Sequence, residues 1–322
     1  MDKSEIDPSV LKQLHKLEQK YEAMGQDLSS YLDGLLHSNY LKYWEYIHLD
    51  TLLSLQTPKT NFPDENIFII YHQITELYFK LILLEMDQTA SLDASKSKEF
   101  LMHMQRINRY VSQLINSFDI MVDGMEPEQF LQFRMSLLPA SGFQSAQYRL
   151  IEIGATDLCQ FWATEDRPDK VDENDLDTIY QHMYWKKGAA ELSTGKRTLT
   201  LRQFEQKYDE AFLKKARKRQ STNLRQQFVR NFQDSDQTAQ ITHELRVFDV
   251  LTNIGWPLSH YKSAARYLQG DPNVIAATGG TNWQKYLPPQ RQMIIFFPGL
   301  FSDEEKAEWG KAGLMKSVLD QN

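Results

Sequence analysis

Residues 65–86, ENIFIIYHQITELYFKLILLEM, constrain the fold of this chain more than any other stretch. Ile67, Ile70, Tyr71, Ile74, Leu77, Tyr78, Leu81 and Ile82 recur at the three-and-four spacing of one helix face, while Phe68, Ile69, Phe79, Leu83 and Leu84 cover much of the rest. The pattern predicts a buried helix around which other helices pack. Asp64 and Glu65 put acid at its start, where an N-cap oxygen and the positive end of the helix dipole favour it. His72 sits inside this apolar rod, one turn after Phe68 and one turn before Glu76. An imidazole there either makes a hydrogen bond within the core or serves as a ligand or catalytic group, and the stretch alone leaves both readings open.

The flanking sequence extends the helical pattern. Glycine and proline are sparse, 14 and 11 of 322 residues, and strand-like alternations are short, so periodicity predicts an all-α protein. Residues 9–24 read as an amphipathic helix, and another begins near Tyr43. The loop TPKTNFPDE at 57–65 leads into the central helix. Over 97–121, Phe100, Met104, Ile107, Val111, Leu114 and Phe118 recur at helical spacing and are read as packing positions. Pro127 suits the first turn of a short helix in which Phe130 and Arg134 lie one turn apart, with Phe133 and Leu137 alongside. An arginine in that setting either snorkels or pairs with a structural carboxylate, or it clamps a substrate carboxylate with its planar five-donor fork. The small-residue turn ASGFQS follows, then the helix AQYRLIEIGATDLCQFW.

Further along, residues 164–235 read as more irregular and peripheral, with a helical piece around Leu176–Trp185 and the basic cluster KKARKR at 214–219 as a solvated helix face. Within 241–268, His260 lies one turn after Trp256, and Ser263, Ala264 and Ala265 on the next turn would leave room for a flat bulky group. Pro257 lacks a backbone donor, so it must start a new helix at Trp256 or kink a longer one. The chain reads as a single all-α domain over 1–322, a helix bundle in which 1–40 is a helical extension suited to oligomer contacts.

Several function classes drop out. A net charge of −7 argues against a general nucleic-acid binder, because nothing would systematically neutralise phosphates. The one cysteine, Cys159, excludes an internal disulfide framework and a CxxC metal site. The polar, amphipathic N-terminus does not read as a secretory signal, and no apolar run reads as a membrane span, so a cytoplasmic protein without a membrane partner is expected. There is no HExxH, no pair of histidines at i, i+4, no GxSxG, no P-loop and no GxGxxG. What remains is two histidines on separate apolar helices, an arginine among apolar neighbours and many aromatics. A helical protein with one axial histidine for haem and another in a distal pocket would use these pieces, as one of several possibilities.

Longer motifs narrow this. ENIFIIYHQITELYFKLILLEM, QFLQFRMSLLPASGFQSAQYRLIE, WPLSH and ATGGTNWQKYL occur in the order and approximate spacing of the tryptophan 2,3-dioxygenase family. YWEYIHLDTLLSLQ upstream and FFPGLF downstream are also similar to that family, so the resemblance runs from about residue 40 to 301. It implies the all-helical haem dioxygenase fold, one haem b per subunit, L-tryptophan or a related aromatic amino acid and O2 as substrates, and N-formyl-L-kynurenine as product. Carried over position by position, His260 matches the proximal iron ligand, with Trp256, Ser141 and Gly142 bordering the haem. His72 matches the distal histidine that contacts the indole N–H, and Phe68 and Phe130 match walls of the substrate pocket. Arg134 matches the arginine that binds the amino-acid carboxylate, and Thr278 the threonine near the ammonium and carboxylate. Tyr43, Tyr46 and Ile47 match positions that reach into a neighbouring subunit's pocket, which implies a homotetramer.

The sequence also departs from the family pattern. Pro257 stands where an arginine usually follows the tryptophan, Phe130 where a tyrosine is usual, and Met135 where FRD is usual. ATGGTNW replaces GTGGSSG, and His260 and Thr278 are about one helical turn farther apart than usual. Two other functions therefore stay open at this level: a related haem-dependent oxygenase acting on a substituted indole or other aromatic amino acid, and a non-catalytic haem-binding protein.

Overall fold

The computed structural model describes residues 6–37, 42–137, 142–163, 167–168, 170–189, 196–268 and 288–320. The chain divides into two compact units, 1–57 and 58–322. The first unit thus runs beyond the 1–40 extension read from sequence, and its boundary falls at the TPKTNFPDE loop. It holds α1 (Pro8–Ala23) and α2 (Leu28–His37), followed by helical turns at Tyr43–Tyr46 and Leu49–Leu53. Pro8 opens α1 at a position whose N–H has no helical partner, and the Asp7 side chain accepts the Ser9 amide at 2.7 Å.

The second unit is built on α3 (Asp64–Thr89), α4 (Ser97–Ser117), α5 (Pro127–Phe133), α6 (Ala146–Ala155), α7 (Leu199–Arg219), α8 (Thr238–Val250), α9 (Trp256–Leu268) and α10 (Ala312–Leu319). Among the described residues the one β-type pairing is an isolated bridge between Trp162 and Met183, so the fold is all-α. α4 lies between α3 and α8, and α6 lies between α3 and α7. The stripe read from α4 is the core: Phe100, Met104 and Ile107 are fully buried, with Val111, Leu114 and Phe118 nearly so.

The central helix departs from the sequence reading in two ways. Only one face is buried, through Tyr71, Thr75, Phe79, Ile82, Met86 and Thr89; on the opposite side Ile70, Ile74, Leu77, Leu81 and Leu84 are 38 to 51% exposed. Because both faces are apolar, α3 is after all long and apolar enough to cross a membrane by length and composition, although its inner face packs in the core. Its acidic start also works differently. Pro63 is the N-cap, and Glu65 reaches back to the preceding loop, accepting the Lys59 and Thr60 amides at 2.7 Å each. Burial pushes the Glu65 carboxyl up, but these hydrogen bonds outweigh it and hold the group below the usual carboxylate range.

The stretch 164–235 contains more order than its composition suggests. The 21-residue α7 is capped by Thr198, whose side chain accepts the Leu201 amide, and it buries Leu201, Phe204 and Phe212. Its basic end is engaged internally: Lys215 and Arg219 both pair with Asp87, and Arg217 pairs with Asp177. Arg219 is buried, so the cluster is only partly the solvated face expected. Nearby, Asp157 gathers Asn223, Arg225 and Gln226 beside a cavity of about 300 Å³ that also borders Glu173 and Arg219. Cys159 opens on the same cavity but is buried, and burial, with the Glu173 and Asp157 carboxylates, pushes its thiol up to about 11.

Candidate haem and substrate site

α3 and α9 carry the two histidines in the same local geometry. The Nδ1–H of His72 donates to the Phe68 carbonyl at 2.7 Å, and that of His260 to the Trp256 carbonyl at 3.0 Å. A carbonyl can only accept, so the proton is on Nδ1 and Nε2 keeps a free lone pair in the neutral ring. His15 and His182 make the same contact one turn back, so the bond is a helical habit. The surroundings distinguish the site histidines. Burial pushes the His260 imidazole down to about 4, against the pull of the Trp256 carbonyl, with the nearby His72 adding a smaller push the same way. His72 is likewise lowered by desolvation despite its solvent-accessible surface, since the protein around it disfavours the imidazolium. Near neutral pH both rings are uncharged bases.

Aromatic rings join the two. From His72 the row passes to Tyr71 (6.2 Å between centroids), Phe118 (5.7 Å) and His260 (4.5 Å), with Trp256 edge-on to His260 at 4.4 Å. Tyr71 is anchored by its hydroxyl, 3.3 Å from the Leu114 carbonyl. On the other side of His72, the Phe68 ring lies tilted against it at 4.1 Å between centroids and meets Phe130 at 6.4 Å and Phe133 at 5.9 Å. Arg134 follows Phe133 directly; its amide bonds the Phe130 carbonyl and the residue is buried. Burial pushes its guanidinium below the ordinary value, yet arginine remains charged at any pH of interest. Thus Phe68, His72, Phe130, Arg134, Trp256 and His260, scattered over almost 200 residues of sequence, belong to one neighbourhood.

The scaffold explains much of the motif chemistry. Asp64 accepts the Glu126 amide at 2.6 Å, which ties the start of α3 to the start of α5. Gln147 on α6 donates to both the carbonyl and the carboxylate of Glu76, one turn past His72. Arg149 and Glu152 form a buried ion pair at 3.1 Å, and the Tyr184 hydroxyl donates to Glu152 at 2.6 Å. Asp249, fully buried, accepts the Asn253 side chain and the amides of Phe296 and Phe297, pinning FFPGLF to the helix that leads to His260. Burial pushes the Asp249 carboxyl up to about 7 against the pull of those three donors.

Some expected residues lie elsewhere. Ser141 and Thr278 are outside the described residues, and of Gly142 only the backbone, in a helical turn over Gly142–Gln144, is described. Tyr43 and Tyr46 belong to the first unit, where each is 71% exposed, and Ile47 there is half-buried. The small residues after His260 do not simply leave space: the Ser263 hydroxyl donates to the Met121 carbonyl at 2.8 Å, so that side of α9 approaches the turn at Asp119–Asp123 closely. Tyr71 and Phe118 were not singled out as site residues by the sequence. Their helical spacing marks them as core, and only the structure shows that Tyr71 touches His72 and Phe118 touches His260.

The site thus consists of two uncharged histidines joined by an aromatic row within an all-helical unit. The model of the tryptophan 2,3-dioxygenase family matches residues 34–265, well over half of the chain, and the chain belongs to that family. Among curated relatives, the tryptophan 2,3-dioxygenase of Bacillus thuringiensis (strain Al Hakam) is 42% identical over 113 residues, 35% of this chain and 40% of that protein. That of Ruegeria sp. (strain TM1040) is 41% identical over 113 residues, with the same coverage. That of Anaeromyxobacter sp. (strain K) is 37% identical over 121 residues, 37% of this chain and 45% of the relative. The chain therefore spans less than half the length of the curated relatives it matches.

Proposed function

We propose that this chain is a haem-dependent dioxygenase that opens the indole C2–C3 bond of L-tryptophan, or a closely related aromatic amino acid, with O2 to give N-formyl-L-kynurenine. The observation that carries this reading is the pair of uncharged histidines at the two ends of one aromatic row. The donor set fits haem b: His260 is held neutral with Nε2 free, and its Nδ1 hydrogen bond to the Trp256 carbonyl fixes the tautomer that would let Nε2 bind iron. Bound haem supplies the activation of O2. His260 would hold its iron, with Trp256, Ser141 and Gly142 along its edge.

The chain's own residues place the substrate. Phe68 and Phe130 would flank the indole in an apolar space that excludes water. Nε2 of His72 would accept a hydrogen bond from the indole N–H; it orients the ring, because an indole N–H is too weak an acid to require removal. Arg134 would grip the carboxylate in bidentate fashion, and the Thr278 hydroxyl would sit near the ammonium and carboxylate. Tyr43, Tyr46 and Ile47 would complete a neighbour's pocket in a cytoplasmic homotetramer, a reading supported by the exposure of both tyrosines and of the apolar row on α3.

The test is anaerobic reduction of the haem-loaded protein, then L-tryptophan and ¹⁸O₂, with mass analysis of the product. Two labelled oxygens are expected. One retained label would replace this reading with a single-oxygen insertion, and haem binding without turnover would leave a carrier. In the same preparations His260→Ala should abolish the Soret band, whereas His72→Ala should keep it and lose turnover.

A further inference from the structure

Pro257 does not break the helix that carries His260. α8 runs into α9 through a π-helical turn at Leu251–Gly255, in which the Trp256 amide bonds the Leu251 carbonyl five residues back. This register leaves a specific debt. With Trp256 committed to Leu251, the next donor in the five-residue pattern, for the Thr252 carbonyl, would be residue 257, which is proline and has no N–H. Thr252 is buried, where an unpaired carbonyl is costly. The group that meets it comes from another helix: the Tyr148 hydroxyl of α6 donates to the Thr252 carbonyl at 3.4 Å. The Tyr148 ring is wedged between the Arg149 guanidinium, 4.8 Å from its centroid, and Phe79, 5.5 Å away, and Phe79 in turn lies 6.0 Å from Trp256.

We infer that Tyr148 is a positioning residue: its hydroxyl caps the carbonyl that Pro257 leaves without a donor, and so holds the π turn that sets the rotational phase of Trp256 and His260. One extra residue per turn rotates everything downstream by roughly 100° relative to an unbroken α-helix. The π register therefore decides which side of α9 carries His260, and Ser259 and His260 themselves bond the Gly255 and Trp256 carbonyls just past it. Burial raises the Tyr148 phenol far above its ordinary value, so the hydroxyl stays a donor across the accessible pH range.

The inference rests on the haem reading only where haem is used as the probe, and a double-mutant cycle in the full chain separates the two. Tyr148→Phe keeps the ring and removes the donor; Pro257→Ala restores an amide at 257. Measured by denaturant unfolding, Tyr148→Phe should lower the folding equilibrium constant about five- to tenfold in the native background, the weight of one buried hydrogen bond. In the Pro257→Ala background the effect should shrink below about twofold. The Soret maximum and the spin state of the loaded protein should shift in Tyr148→Phe alone and change less when Pro257→Ala is also present. Equal losses in both backgrounds would overturn the inference and leave Tyr148 as packing. If no variant binds haem, the function proposed above fails, while the unfolding cycle still decides this point. Should Pro257→Ala not fold, hydrogen exchange decides: faster exchange of the Trp256 and Leu258 amides in Tyr148→Phe is expected, and unchanged protection overturns it.

Discussion

Arg134 illustrates what a residue's type contributes beyond its charge. Lysine at this position keeps a cation but discards the planar fork, so Arg134→Lys should raise KM for L-tryptophan about 10- to 100-fold, the weight of a charge-assisted hydrogen bond, with a smaller effect on kcat. Steady-state kinetics across substrate concentration checks this, and an unchanged KM would remove Arg134 from carboxylate recognition. The residue was legible in sequence because a guanidinium between Phe130, Phe133 and Leu137 conflicts with its apolar surroundings. His72 and His260 stood out for the same reason. Tyr71 and Phe118 did not, because an aromatic ring at core spacing agrees with a packing role, and nothing in one sequence distinguishes a ring that fills space from one that also touches a candidate site histidine.

At the level of elements, periodicity located α3, α4 and the helix around His260 but understated order elsewhere. α7 is rich in charged side chains, so its helical period is weak, and its place is set by the burial of Leu201, Phe204 and Phe212, with ion pairs to the distant Asp87 and Asp177 at its basic end. The π turn was likewise illegible: the sequence shows that Pro257 needs an accommodation, whereas the donor that provides it comes from α6. The junction of the C-terminal segment with α8 carries a pH signature. Because the native Asp249 carboxyl titrates near 7 and the unfolded one near 3.8, the native state keeps a proton that the unfolded chain has released. This group's stabilisation is full below about pH 4 and is lost as pH rises through about 7. Asp249→Asn, which cannot titrate and forfeits one acceptor, should be less stable by about 1–3 kcal/mol and should flatten the fall in stability between pH 5 and 8. Denaturant midpoints of the two proteins across that range provide the comparison, and parallel curves would show that Asp249 does not titrate there.

For the whole molecule, the row of Ile70, Ile74, Leu77, Leu81 and Leu84 has the alternating three-and-four spacing of a helix–helix seam. On the proposed homotetramer, replacing Ile74 and Leu81 together by glutamate should reduce the mass in light scattering below that of four chains while leaving the helical circular dichroism intact; an unchanged mass would show that this row is not a subunit contact. Sequence alone led to the expectation of a core helix, because apolar residues on a buried face and on an exposed face obey the same helical pattern. Cys159 has a different consequence at this scale. It is the chain's one thiol, buried beside the Asp157 hub that joins the 157–176 segment to the start of the helical turn after Asn223, and held in its unreactive protonated form. Burial and the raised thiol make Cys159 a slow target for an alkylating reagent, so a change in its labelling rate reports a change in how this region around Asp157 is packed.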